Sequence, residues 1–233
     1  MKRNFILGMI IVLVSVCFYN YYKKITDIQI DSESLPEYKN EAYSYIHNNK
    51  PYFKYSDLKV KEFISYSPLD GLKRCGKASS CLSIKTLSKA KRPSLSVIKP
   101  VGWHTYRFDA VKKYESTTSF QSNLGYLYNR CHLIAYELSG DQGDRKNLIT
   151  GTRYLNVEGM LPFENKVTQY IRKTKHHVLY RVTPIYKGNN LLAHGVLIEA
   201  QSIEDNNLQF CVYCYNVQPG IKIDYATGKA KEI

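Results

Sequence analysis

Acidic side chains are scarce in this 233-residue chain: 20 Asp and Glu stand against 33 Lys and Arg, a formal net charge of +13. The imbalance is local. Residues 51–113 hold 14 basic and 4 acidic side chains (net +10), residues 25–49 hold 1 and 5 (net −4), and residues 199–233 hold 3 and 5 (net −2). Charge gathered in one segment is the footprint of a polyanionic partner. By itself it leaves nucleic acid, anionic lipid and wall polymer open. Cysteines in a pairable number are also missing. Of the six, at 17, 75, 81, 131, 211 and 214, Cys17 lies in an N-terminal apolar run, and the remaining five are odd in number. That excludes a fully paired disulfide framework, although Cys75 and Cys81 could close a small loop in an extracellular domain. One CxxC is present, Cys211 and Cys214, with no second to complete a tetrahedral zinc site. Its flanks, Phe210, Val212, Tyr213 and Tyr215, read as a strand, which sends the two thiols to opposite faces. A thiol oxidoreductase, which wants its CxxC at a helix N-terminus, is excluded on the same ground. There is no internal repeat, no low-complexity tract and no element built to read bases.

What is present begins at the N-terminus. Met1-Lys2-Arg3 precedes an apolar stretch over residues 5–19, with tyrosines at 19, 21 and 22 and lysines at 23 and 24. A basic start before such a run predicts a signal-anchor or signal peptide over residues 1–24, with an aromatic belt at the membrane interface. No small-residue cleavage site stands out, so an uncleaved anchor is the first reading and a secreted form the second; either carries the rest of the chain out of the cytoplasm. Residues 25–60 are polar and read as a stalk, with a short helix around 37–48. Residues 61–233 read as the globular domain.

In that domain, residues 128–136 and 147–155 read as strands, separated by the turn-rich Ser139-Gly140-Asp141-Gln142-Gly143-Asp144. Residues 164–175 read as a helix, with Val167, Tyr170 and Ile171 at i, i+3, i+4 and Pro162 at its entry. Residues 177–186 and 191–200 predict a hairpin, with Pro184 pushing the first strand toward an edge or bulge. Residues 210–217 predict a last strand. Strands with one well-marked helix indicate an α+β domain.

The chemistry concentrates in residues 129–164. Arg130 and His132, two apart on a strand, share a face. Asn147 and Asn156 bracket the next strand, and Glu164 opens the helix. Phosphodiester hydrolysis needs a base for water, positive charge on the phosphoryl oxygens and relief of the leaving 3′-oxygen. Neutral His suits the first task, Arg the second, and a hard cation on oxygen ligands the third. His104, His194, His176 and His177 read as structural, and His47 falls in the stalk. Alone, each of the singled-out residues is as well explained by packing, capping or a turn.

Together they carry a resemblance. Asn129-Arg130-Cys131-His132, then Asn147-Leu148, then Thr150-Gly151-Thr152-Arg153-Tyr154-Leu155-Asn156, then Leu161-Pro162-Phe163-Glu164 resembles the DNA/RNA non-specific endonucleases, whose signature is written DRGH. The likeness runs over roughly residues 65–228, including Lys99-Pro100-x-Gly102-Trp103 and Tyr215-Asn216-Val217-Gln218-Pro219-Gly220. It implies a ββα-metal nuclease fold with a mostly antiparallel sheet flanked by helices. It further implies His132 as general base, Asn156 as the one direct protein ligand of a Mg²⁺ ion (with Mn²⁺ able to substitute), and Glu164 as the residue that orients water on that ion. Arg130 would contact phosphate, and Asn147 would support the substrate or the His/Asn geometry. DNA and RNA would be cut without sequence preference, leaving 5′-phosphate ends. Two positions depart from the signature: Asn129 stands where the family has Asp, and Cys131 where it has Gly. Cys131 is expected to pack as a small hydrophobe. An Arg that some members carry one turn into the metal helix is Thr168 here, leaving Arg153 or Arg172 as substitutes for phosphate contact. The competing reading is an inactive nuclease fold that binds DNA or other polyanions at the surface.

Overall fold

Alternation at period two writes most of the sheet. Strands β6 (Val178–Ile185), β7 (Gly195–Ser202) and β8 (Gln209–Tyr215) turn Val178, Tyr180, Val182, then Val196, Ile198, Ala200, then Phe210, Val212, Cys214 into the main core, as side chains two apart on a strand must. The computed structural model describes residues 34–91, 94–113 and 125–233. The expected membrane segment, residues 1–24, lies outside them. Residues 35–233 form one unit. With β1 (Tyr43–Tyr45), β2 (Phe63–Tyr66) and β3 (Ala78–Leu82), these strands make a six-stranded sheet in the order β1-β8-β7-β6-β3-β2, antiparallel throughout. The α+β class and the β6–β7 hairpin are as the patterning predicts.

Along the chain, β3 is followed by a short helix α1 (Asp109–Lys112), strand β4 (Tyr128–His132), helix α2 (Tyr136–Ser139), strand β5 (Leu148–Thr152) and the long helix α3 (Leu161–Thr174). A C-terminal hairpin, β9 (Ile221–Ile223) and β10 (Ala230–Glu232), closes the order. Helix α3 starts three residues earlier than its apolar stripe suggests, because Pro162 sits in the first turn, where a missing N–H costs nothing. It buries Phe163, Val167 and Ile171 against the inner face of the sheet, beside Leu133, Ile134 and Ile149 from the β4–β5 region.

Pro184 belongs to an interior strand. It pairs with Val196 of β7, but the β3 pairing ends at Ala78 and Val182. The proline therefore lies where β6 overhangs its neighbour and no ladder donor is wanted on that side.

The stalk reading over residues 25–60 needs correction from residue 35 onward. No α-helix forms around 37–48; instead Tyr43, Ser44 and Tyr45 pair with Cys214, Tyr213 and Val212, extending the sheet beyond β8. Asn49 Oδ1 accepts the Cys211 N–H at 3.1 Å, and Glu199 accepts the Tyr52 N–H at 2.8 Å. A short edge strand exposed on one side is polar in composition, and from sequence it looks like a linker.

The outer face of the sheet holds an ion pair. Glu199, 1% exposed, takes two hydrogen bonds from Arg181, Nε at 2.6 Å and Nη2 at 2.8 Å, and the guanidinium lies over the Phe53 ring, 4.7 Å from its centroid. Cys211 shares this face while Cys214 is in the inner core. No disulfide joins Cys75, Cys81, Cys131, Cys211 or Cys214, so the Cys75–Cys81 loop is not closed by one.

At the β2 edge, His177 bridges two carboxylates, Glu204 at 2.6 Å and Glu62 at 3.4 Å. Hydrogen bonds from its own backbone N–H and the Ser83 hydroxyl hold the Glu62 carboxyl down to about 2. For Glu204, desolvation pulls upward, but hydrogen bonds from the His177 ring and N–H leave it below its ordinary value. A depressed carboxyl contributes stability above its unfolded value and loses it as pH falls through the folded one. The thermal midpoint should therefore hold from neutrality to about pH 5, then fall as pH drops from about 4 toward 2. A Glu62→Gln/Glu204→Gln variant should show a shallower fall; an unchanged acid limb would refute the assignment.

Candidate active site

The β4–β5 hairpin and α3 follow one another as a single ββα unit. His132 ends β4 opposite Leu148, and Tyr128 begins it opposite Thr152. A two-stranded hairpin is marginal alone, and buried side chains brace this one. Asn216, fully buried, accepts the Thr152 N–H at 2.8 Å and donates to the carbonyls of Thr150 (3.2 Å) and Ala193 (2.8 Å). Gln218 Oε1 accepts the Tyr154 N–H at 3.1 Å. These amides stand in for a third strand on the free edge of β5. Their site role was not singled out from the sequence; the signal was a polar Asn-x-Gln ending an otherwise apolar strand.

Asn147 is fully buried and satisfied on both atoms. Its Oδ1 accepts the Ile134 N–H at 2.8 Å, and its Nδ2 donates to the Ile134 carbonyl and to Asp141 Oδ2, both at 3.0 Å. It holds the chain just past His132, and its side chain is closed off from the surface. Asp141 anchors the same loop through the N–H groups of Gly143 and Asp144, at 2.8 and 2.9 Å. Burial pushes its carboxyl up, and those hydrogen bonds bring it below its ordinary value.

Arg130 is half-buried and turned to the 94–103 segment. It donates to the carbonyls of Ile98 and, at 2.8 Å, Ser96, and its guanidinium stacks 4.2 Å from the Trp103 ring centroid. Two of its five N–H donors are used there, leaving the others for an anion. Asn129 accepts from Arg153 Nη1 at 3.3 Å, while its Nδ2 is buried without a hydrogen-bond partner among the described residues. Cys131 is fully buried in the main core. A Cβ at Gly151 would run into its sulfur, so the thiol at 131 is accommodated by the glycine on the facing strand. Arg172 is exposed near the end of α3 and pairs with Glu137 of α2 at 2.8 Å.

Between β5 and α3 the chain makes a π-helical turn, Leu155–Met160, in which the Leu161 N–H bonds the Asn156 carbonyl. Such turns recur at functional sites, and here the reason is angular. Eight residues of α-helix rotate roughly 800°, about 80° past two turns. The wider i→i+5 turn takes back roughly that angle, a geometry that favours Asn156 and Glu164 on one side; both are half-exposed. Glu164's charge acts on Tyr180 and Cys214 of the inner face, where burial first, and that carboxylate second, push the phenol and the thiol well above their ordinary values. The Tyr180 hydroxyl is buried without a hydrogen-bond partner among the described residues, leaving polar capacity beside Glu164. His132 is 7% exposed at the end of β4.

An amide oxygen and a carboxylate are hard donors and suit a cation that keeps most of its water, as Mg²⁺ does. Among the described residues no group of three or more His, Cys, Asp or Glu forms a metal cage. A site with one or two protein oxygens is the kind this donor set fits.

A family model for DNA/RNA non-specific endonucleases matches residues 54–204. A deoxyribonuclease from Streptococcus dysgalactiae subsp. equisimilis is 30% identical over 244 residues, covering 91% of this chain and 72% of that protein. Among solved structures, NucA from Streptococcus agalactiae with a magnesium ion bound is similar at a TM-score of 0.72 and 25% identity, over 87% of this chain and 93% of that one. The Sda1 nuclease with a bound zinc ion is similar at a TM-score of 0.67 and 28% identity, over 83% and 97%.

Proposed function

The chain belongs to the DNA/RNA non-specific endonuclease family, and from that premise we propose that it is a Mg²⁺-dependent nuclease hydrolysing DNA and RNA outside the cytoplasm. The observation that carries this reading is the π-helical turn between Asn156 and Glu164 in the ββα unit whose first strand ends in His132; its angular step supports a shared side for the two oxygen donors. His132 takes the proton of the attacking water as its oxygen bonds to phosphorus. The phosphorus–O3′ bond breaks, the 3′-oxygen leaves with a proton from solvent, and the 5′-phosphate remains. Asn156 and Glu164 would hold the cation, Asn156 as a direct ligand and Glu164 through water. When bound, the cation supplies positive charge for the phosphoryl oxygens and the leaving oxygen. Arg130, held by the Ser96 and Ile98 carbonyls and Trp103, adds charge-assisted donors on the phosphate. Basic residues of the 51–113 segment give sequence-independent, salt-sensitive binding. Magnesium in NucA and zinc in Sda1 support a divalent-metal site here, and the basic, then apolar N-terminus supports a membrane-tethered or secreted enzyme.

Purified protein should degrade plasmid DNA in Mg²⁺, stop in EDTA and resume when Mg²⁺ is restored, with product ends that ligate without prior phosphorylation. Binding without cleavage across Mg²⁺, Mn²⁺ and Zn²⁺ would instead establish the inactive surface binder.

A further inference from the structure

The C-terminal hairpin carries a concave basic surface outside the site described above. Residues 199–233 hold only three basic side chains, Lys222, Lys229 and Lys231, and all three line one cavity of about 530 Å³, against a single acidic lining residue, Asp224. Asp224 is largely engaged by its own turn: it accepts from the Thr227 hydroxyl at 2.6 Å and the Ala226 N–H at 3.0 Å. The lysines are exposed, while Ile223, Tyr225 and Ala230 give the cavity an apolar lining. The Tyr225 ring is itself fixed, stacked on His194 at 4.0 Å between centroids and donating its hydroxyl to the Asn216 carbonyl at 2.7 Å.

The cavity is tied to the candidate active site. Tyr128, which begins the strand that ends in His132, donates its hydroxyl to the Gly228 carbonyl at 2.9 Å. Gly228, at φ +80°, packs against the Gly102 carbonyl so closely that a side chain would not fit, and His104 Nε2 meets the Thr227 carbonyl at 3.0 Å. Trp103, between those two contacts, is the ring on which Arg130 stacks. Tyr128 and His132 are four residues apart on a strand, about 13 Å, a few nucleotides' length of backbone.

We propose that the Lys222/Lys229/Lys231 cavity is a second nucleic-acid subsite, which holds the phosphates of the substrate strand several nucleotides from the scissile bond. The lysine ammonium groups take the phosphates, and the apolar lining takes sugar and base edges without reading sequence. This rests on the nuclease reading, and it assigns the hairpin a share of affinity that the 51–113 segment would otherwise carry alone.

The test uses the full chain with His132→Ala, in EDTA, so that binding is read apart from cleavage. Affinity for a fluorescent 30-base-pair duplex is measured by anisotropy across a salt series, with and without Lys222→Ala/Lys229→Ala/Lys231→Ala. Each phosphate contact contributes about 0.9 to the log–log salt slope, so the triple variant should lower that slope by about 2 to 3 and weaken binding several-fold at low salt. Arginine at the same three positions should restore the slope. An unchanged slope and affinity would overturn the inference while leaving the nuclease reading intact, provided wild type cuts plasmid. A variant that loses binding to phosphatidylglycerol vesicles but keeps its duplex affinity would also overturn it, in favour of an anionic lipid surface. No duplex binding by the parent protein would overturn both.

Discussion

His132→Ala is expected to lower plasmid cleavage by roughly 10²- to 10⁴-fold, the contribution of a positioned general base, with duplex affinity largely retained. The histidine is 7% exposed, so a loss of activity could also come from a damaged fold; two further measurements separate these causes. Far-UV circular dichroism and the urea midpoint of His132→Ala should stay close to wild type, because Asn147, Asn216 and Gln218 brace the hairpin through the backbone. In His132→Gly, added imidazole should recover part of the lost rate, since a diffusible base can enter the space left by the ring. Cleavage that survives at wild-type rate in His132→Ala would remove this histidine from the mechanism, and Asn129 and Cys131 would then mark a site that works differently from the rest of its family.

The second large effect is on stability. Glu199→Ala should destabilise the protein by about 3–5 kcal/mol, the cost of leaving one partner of a buried ion pair alone. In this size range that lowers the thermal midpoint by roughly 6–20 °C. The carboxylate is 1% exposed and receives two bonds from Arg181 and one from the Tyr52 N–H. Its removal strands a guanidinium over Phe53 and leaves the Tyr52 N–H without its acceptor on the sheet. Arg181→Met/Glu199→Leu should lose much less than Glu199→Ala, because it removes the charges together and leaves none unpaired. Limited proteolysis should cut first within residues 35–54 in the single variant. Equal losses in the single and double variants would show that the pair acts through packing volume and not through its charge.

Much of the molecule was legible because its signals are local. Strand periodicity in 178–185 and 209–215 depends only on which side chains alternate, and the stripe of α3 only on spacing. The order Asn129 to His132, Asn147, Asn156, Glu164 is a linear pattern too. Other features lack such a signal. Residues 35–54 are polar because one side of an edge strand faces water, and composition does not separate that from a linker. Asn147 looked as apt to touch substrate as to hold a loop, until burial and three satisfied hydrogen bonds decided it. Arg172 was a reasonable phosphate contact by charge alone, yet it faces Glu137.

By itself, then, the sequence determined the α+β class, the main strands and the helix, the basic character of residues 51–113 and the residue types of the candidate site. Periodicity, charge and motif order are properties of neighbours along the chain. Only the tertiary structure decided that residues 43–45 join the sheet, that the chain between Asn156 and Glu164 takes a π-helical turn, and that Asn216 and Gln218 brace the hairpin. Each of these rests on contacts between residues far apart in sequence, or on a turn whose hydrogen-bond register is set by what packs against it. Such contacts leave no periodic trace in the order of residues.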